Sequence, residues 1–295
     1  MLRSIAASVR AYTGPYPSWG APTPEACRLV TERLAEQHGL PSTRRRPDAQ
    51  PACVLDSLVR TLLSQNTTDT TSARAFDTLK LRFPSWDMVR TAPLQDVADA
   101  IRVGGLAEIK AGRVQAILST LQEERGACSL EHLRGMHPAE AKALLLGFKG
   151  VGKKTVACVL LFALELPEFA VDTHVWEISK ALGWVPTNAS RDQAYDHLNE
   201  LVPDELKYDL HVLLVSHGKQ CPACAKAGSP KQRAAKPADG GVACPLADLK
   251  PPPSQLKTAY RAGPKHRTGD DMRPQSPPEV AKKRRKRKVQ PKDST

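Results

Sequence analysis

The chain has 295 residues, enough to bury a sizeable core as one large domain or two small ones. Its longest apolar run, residues 156–164, is broken by Glu165 and Pro167 and falls short of the roughly 20 residues that span a bilayer, so no membrane partner is expected. The formal charge of +12 is unevenly spread: residues 251–295 hold 13 Lys and Arg against 4 Asp and Glu, which leaves only +3 for the preceding 250.

The opening "MLRSIAASVRAY" has two arginines and no acid precedes Glu25, a pattern compatible with import into a plastid or mitochondrion. Residues 1–21 are taken as an N-terminal extension. From Pro22 to Gly218 apolar residues recur at helical spacing and alternating runs are absent, which predicts an all-α fold. "PTPEACRLVTERLAEQHG" carries Pro24 in its first turn and Gly39 as a stop, and "TRRRPDAQP" then reads as a loop. "VLDSLVRTLLSQ" is a second helix, and "DTTSARAFDTLKLRF" a third that Asp69 is expected to cap. "PLQDVADAIRVGG" starts on proline and ends on glycines, "AEIKAGRVQAILSTLQEERG" is the longest helix, and "PAEAKALLLGF" follows. Three more helices lie in "DTHVWEISKALG", "SRDQAYDHLNELV" and "PDELKYDLHVLLVSHG". Short connections predict that successive helices pack as neighbours. The ordered part is expected to end near residue 250. Residues 251–295 are predicted to be a disordered basic tail whose "KKRRKRK" suits nuclear import or nonspecific contact with nucleic acid.

"GFKGVGKKTVAC", residues 147–158, nearly spells a nucleotide phosphate loop, with Gly147, Gly152 and Lys153 in place. Lys154 stands where that loop needs a hydroxyl, and the segment before it is helical rather than a strand. Helix, tight turn, helix is instead a helix-hairpin-helix. Gly150 and Gly152 permit the turn, and the free N–H groups around Gly150, Val151, Gly152, Lys153 and Thr155 suit a DNA phosphate without reading sequence.

A helix over residues 153–166 would climb about 20 Å, and "PEFAV" offers about 17 Å of extended return. The chain can therefore bring Asp172 beside Lys154, each at a helix N-terminus, where the local potential disfavours an ammonium and favours a carboxylate. An amine next to an ionised carboxylate is a pair able to attack an electrophilic sugar carbon. Spacing alone leaves other roles open: Lys154 as a solvated helix lysine and Asp172 as the N-cap of "THVWEISKAL".

"FKGVGKKTVACVLLF" followed by "FAVDTHVWEISKALGWVP" resembles the helix-hairpin-helix DNA glycosylases of the endonuclease III family, marked by L-P-G-V-G-x-K-T-A and a downstream V-D-T-H. The resemblance spans roughly residues 14 to 249, and "LLSQNTTD", "LRGMHPAEAKALLLGFKGVG" and "LGWVP" look closest to plant members, including demethylating glycosylases. Phe148 and Lys149 depart from the family's Leu-Pro. The resemblance implies two helical lobes around a DNA-binding cleft, one over residues 51–148 and the other from 22–50 plus 149–250. It implies Lys154 as the nucleophile at C1′ and Asp172 as the carboxylate supporting loss of a flipped base, with a Schiff base and strand cleavage to follow. It places Asn66, with Gln65 beside it, at the residue that fills the gap left by flipping, and Leu106 at an apolar wedge. A monomer acting on duplex DNA with a lesion or abasic site is expected. The alternatives are removal of 5-methylcytosine, or a non-catalytic module using the hairpin as a phosphate clamp.

Cys27, Cys53, Cys128 and Cys158 are scattered as small buried hydrophobes would be in a reducing compartment. Cys221, Cys224 and Cys244 cluster late. Relatives in the family often hold a [4Fe-4S] cluster on C-x6-C-x2-C-x5-C after an H-G pair. Here Cys221 and Cys244 match the first and third ligands, whereas the other two positions fall on Gly241 and Lys250. His217 is the nearest fourth ligand, for a residual cluster or for zinc. Free thiols with no metal are the third alternative.

Overall fold

Side-chain caps set where six of the described α-helices begin. The computed structural model describes residues 12–41, 52–224 and 243–258, and every regular element among them is helical. Helix α1, Pro24–His38, starts where the Thr23 hydroxyl accepts from the Ala26 N–H, and it stops at Gly39. Next come α2, Val54–Leu63, and α3, Asp69–Arg82. The cap of α3 is Thr68 rather than the expected Asp69: Thr68 and Thr71 bond to each other's main-chain N–H, which leaves Asp69 as the first helical residue. A six-residue helix α4, Trp86–Thr91, is too short to show a period in sequence. It is followed by α5, Leu94–Ile101, α6, Ala107–Arg125, and α7, Pro138–Gly147.

Helix α8, Lys153–Phe162, ends four residues earlier than expected, at a turn in which Glu165 has φ 57°. The remaining helices are α9, Thr173–Ala181, α10, Arg191–Leu201, α11, Lys207–Gln220, and α12, Pro253–Thr258. The last lies beyond the expected end of order near residue 250. "KKRRKRK" and residues 1–11 lie outside the described residues.

One apolar cluster runs from Val54 to Ala163 and includes Leu58, Phe76, Leu118 and Leu145. It extends past residue 148, the expected lobe boundary, because α8 packs on α2 and contributes Val156, Val159 and Leu160. Helices α1 and α9 pack on α11, and α10 packs on α9, with Leu34, Ile178, Leu198 and Leu210 buried. The approach of α9 to α11 requires Gly218, since a Cβ there would lie 2.7 Å from the Cβ of His174. The described part of the N-terminal extension also packs. Tyr16 is buried, the Thr13 N–H donates to Glu200 at 2.8 Å, and the Trp19 indole donates to the Gly183 carbonyl at 3.0 Å.

Candidate active site

The hairpin between α7 and α8 turns at Gly150, whose φ of 86° favours glycine. The Val151 N–H donates to the Phe148 carbonyl at 3.1 Å, and Gly152 caps α8 with no side chain to occupy the first-turn N–H groups. Val151 and Thr155 are buried side chains, so only their main chain can meet a ligand. Gln65 is clasped to this turn. Its amide nitrogen lies 3.4 Å from both the Gly150 carbonyl and the Thr155 hydroxyl, and its oxygen accepts from Arg113 at 3.2 Å. Lys153 places its ammonium 2.8 Å from both carboxylate oxygens of Asp196 on α10.

Lys154 is the second residue of α8, and Asp172 is the N-cap of α9, its Oδ1 accepting from the Val175 N–H at 2.8 Å. Both line one cavity of about 320 Å³, together with Arg60, Asp69, Cys158, Phe162, His211, Val215 and Lys219. The lining follows helical stripes: 154, 158 and 162 on α8, and 211, 215 and 219 on α11. Burial pushes the Cys158 thiol up, opposed by the adjacent Lys154 charge. His211 donates from Nδ1 to the Ala170 carbonyl at 2.8 Å. Burial holds its imidazole below the usual histidine range although the Asp172 charge pulls the other way. Lys219 and Asp69 form an ion pair on the same lining.

Asn66 and Leu106 are exposed and both left-handed, with φ 54° and 52°. An aliphatic residue held there is strained by about 1–2 kcal/mol. Lys110, which sequence reasoning passed over, connects their two turns. It is buried, and its ammonium donates to the Leu63 carbonyl at 2.8 Å and to the Gly104 carbonyl at 2.9 Å. Burial pushes its pKa down. The available signal was a lysine in register with Ala107, Ala111, Val114 and Leu118, the apolar face of α6. His211 had no comparable signal, because its place on the cavity depends on how α11 meets α8.

A second constellation lies at the end of α11. His217, Cys221, Cys224 and Cys244 bring their ligand atoms within 4.8 Å of one another. The Cys224 and Cys244 sulfurs are 3.6 Å apart, and Cys244 Sγ is 3.5 Å from His217 Nε2. Hydrogen bonds from Cys224 and His217 press the Cys244 thiol down to about 3. Such a group can hold a metal ion. Gly241 lies outside the described residues, and Lys250 places its ammonium 3.3 Å from Cys224 Sγ.

Residues 59–204 match the family model described as HhH-GPD superfamily base excision DNA repair protein. A "Putative DNA glycosylase" of Arabidopsis thaliana is 47% identical over 259 residues, covering 79% of this chain and 87% of that protein. The Arabidopsis thaliana "DNA glycosylase/AP lyase ROS1" is 32% identical over 185 residues, which cover 54% of this chain but only 13% of that much longer protein. Among solved structures, a non-covalent endonuclease III–DNA complex matches with a TM-score of 0.60 at 24% identity, covering 78% of this chain and 95% of that one.

Proposed function

Because this chain belongs to the HhH-GPD superfamily of base excision DNA repair proteins, we propose that it is a DNA glycosylase with AP-lyase activity, working with Lys154 and Asp172. The observation that carries this reading is the lining of one cavity by both side chains, each fixed in the first turn or cap of its own helix. The site is preorganised, with its lysine and carboxylate held by elements that pack independently of substrate.

The substrate is duplex DNA bearing a damaged base or an abasic site. The first-turn N–H groups of α8 hold a phosphate, and the flipped nucleotide enters the cavity while Asn66 and Leu106 occupy the gap in the stack. The Lys154 nitrogen forms a bond to C1′ as the bond from C1′ to the base breaks, and a proton given up by that nitrogen leaves with the base. Asp172 stabilises the positive charge on the sugar in that transition. The C1′–O4′ ring bond then opens, its oxygen taking up a proton, and the nitrogen's lone pair makes the Schiff base at C1′; loss of a C2′ proton next expels the 3′ phosphate. The protein acts as a monomer in the nucleus, where the basic tail suits DNA.

The test incubates the protein with duplexes containing an oxidised pyrimidine, 5-methylcytosine or an abasic site, then adds borohydride. A covalent adduct that disappears in Lys154→Ala supports the lyase. Absence of an adduct on every duplex, with binding intact, overturns it in favour of a phosphate clamp.

A further inference from the structure

Relatives in the resembling family often hold a four-iron cluster at the position that follows α11 here, and the donors present do not fit one. A four-iron cubane carries each cysteine sulfur outward on a different iron, so its terminal sulfurs stand roughly 6 Å apart. Here all four donor atoms lie within 4.8 Å of one another, and one of them is an imidazole nitrogen. Tetrahedral zinc, with bonds of about 2.3 Å to sulfur and 2.0–2.1 Å to nitrogen, sets edges of about 3.8 Å between sulfurs and about 3.6 Å between sulfur and nitrogen. The observed edges are 3.6 Å for Cys224 to Cys244 and 3.5 Å for Cys244 to His217.

We propose that His217, Cys221, Cys224 and Cys244 form a mononuclear tetrahedral site for a divalent zinc ion, in place of an iron–sulfur cluster. Three thiolates and one neutral imidazole around a divalent ion leave a net charge of −1. Lys250, at the sequence position of the missing fourth cysteine, holds its ammonium 3.3 Å from Cys224 Sγ and offsets that charge. With Nε2 of His217 turned toward the sulfurs, its Nδ1 faces Nε2 of His38 on α1 at 3.0 Å, an outer contact that fixes the ring. Four protein donors close the coordination shell, so the site is structural and has no vacancy for substrate.

Its place in the chain gives it a task. His217 and Cys221 lie one turn apart at the end of α11, while Cys244 returns after 19 intervening residues from Cys224. The returning segment is held to α1 by Arg33, which donates to the Pro245 carbonyl at 3.0 Å and pairs with Asp248. The ion therefore clips the C-terminal segment to α11.

The test needs no catalytic readout, so its failure is separate from failure of the glycosylase reading. The full chain is produced with iron and zinc both supplied, purified anaerobically without a metal-affinity step, and analysed for metals and acid-labile sulfide. One zinc per chain without sulfide or visible absorption is expected. Iron and sulfide in equal amounts with a cluster spectrum, or no stoichiometric metal, overturns the proposal. Cobalt is then exchanged into wild type, H217A and H217C. The expected outcome is a tetrahedral ligand-field spectrum that moves to lower energy in H217C, and zinc affinity weaker by more than about a hundredfold in H217A. If H217A does not fold, H217C decides: an unchanged cobalt spectrum shows that His217 is not a ligand and overturns the proposal.

Discussion

Lys153, the first residue of α8, gives its ammonium to Asp196 of α10 at 2.8 Å from both carboxylate oxygens, at the edge of the turn proposed to hold DNA. The pair is partly exposed, and Asp196 competes with phosphate for the same cation. Replacing Asp196 by Asn is expected to tighten duplex binding several-fold at low salt and to steepen the salt dependence by about one counterion. Fluorescence anisotropy over a salt series checks both. Weaker binding in D196N would show instead that Asp196 aims Lys153 at the DNA.

Asp172 is both helix cap and proposed catalytic carboxylate, and two substitutions separate the roles. Asn caps as well as Asp, so D172N should melt close to wild type while single-turnover base excision falls by about a hundredfold or more. D172A should lose that rate and a further ~1 kcal/mol of stability. An excision rate in D172N equal to wild type would reduce Asp172 to a cap.

The strain at Leu106 predicts a trade of stability against function. Glycine relieves about 1–2 kcal/mol of left-handed strain and gives back about 0.5–1 kcal/mol of backbone entropy. Leu106→Gly is therefore expected to be no less stable in urea denaturation. Excision from duplex DNA should drop, while excision from a single strand, which needs no wedge, should hold. Equal rates on both substrates would place Leu106 outside the flipping step.

Lys110 should matter to both turns it bridges. Lys110→Met leaves the Leu63 and Gly104 carbonyls without their donor, at about 2–6 kcal/mol for two buried acceptors. Hydrogen exchange should rise around Asn66 and Leu106 before it rises in α8. Uniform exchange across the protein would indicate a general loss of packing instead.

Acid should weaken the fold. His197 donates from Nε2 to the Ala21 carbonyl at 2.7 Å and accepts from Tyr12, so it is neutral when folded, and burial holds its pKa below the usual histidine range. His132 and His211 are lowered by burial too. Above the unfolded value of about 6.5 both states are neutral and nothing changes. As pH falls below it, the unfolded chain binds protons first and stability declines until the lower folded pKa values are reached. Melting temperature measured from pH 7.5 down to 5 should fall, and less steeply in His197→Gln. A flat profile would contradict this assignment.

What could be read from the sequence follows from how local each cause is. The first-turn proline and the glycine stop of α1 sit at the ends they define, and the spacing from Lys154 to Asp172 allowed their meeting on one cavity. The cap of α3 is ambiguous by one residue in sequence because Thr68 and Asp69 are both competent caps, and only the reciprocal bond with Thr71 decides between them. The end of α8 is hidden in sequence because Ala163 and Leu164 continue its apolar pattern, while the helix gives way to the turn that contains left-handed Glu165. Long-range features were beyond reach. The union of Arg113, Gln65 and Gly150, the seat of Lys110, and the entry of His211 into the cavity depend on helices that meet across the fold.

Helix α8 shows Lys154, Cys158 and Phe162 to the cavity and buries Val156, Val159 and Leu160 in the main apolar cluster. The azimuth of the proposed nucleophile is thereby set by packing on the opposite side of the same ten residues. A single residue inserted between Lys154 and Val156 would leave the apolar face seated and swing the lysine about 100° around the axis. The chemistry would then be lost with the fold intact, so the length of this helix constrains the site as firmly as the identity of its residues.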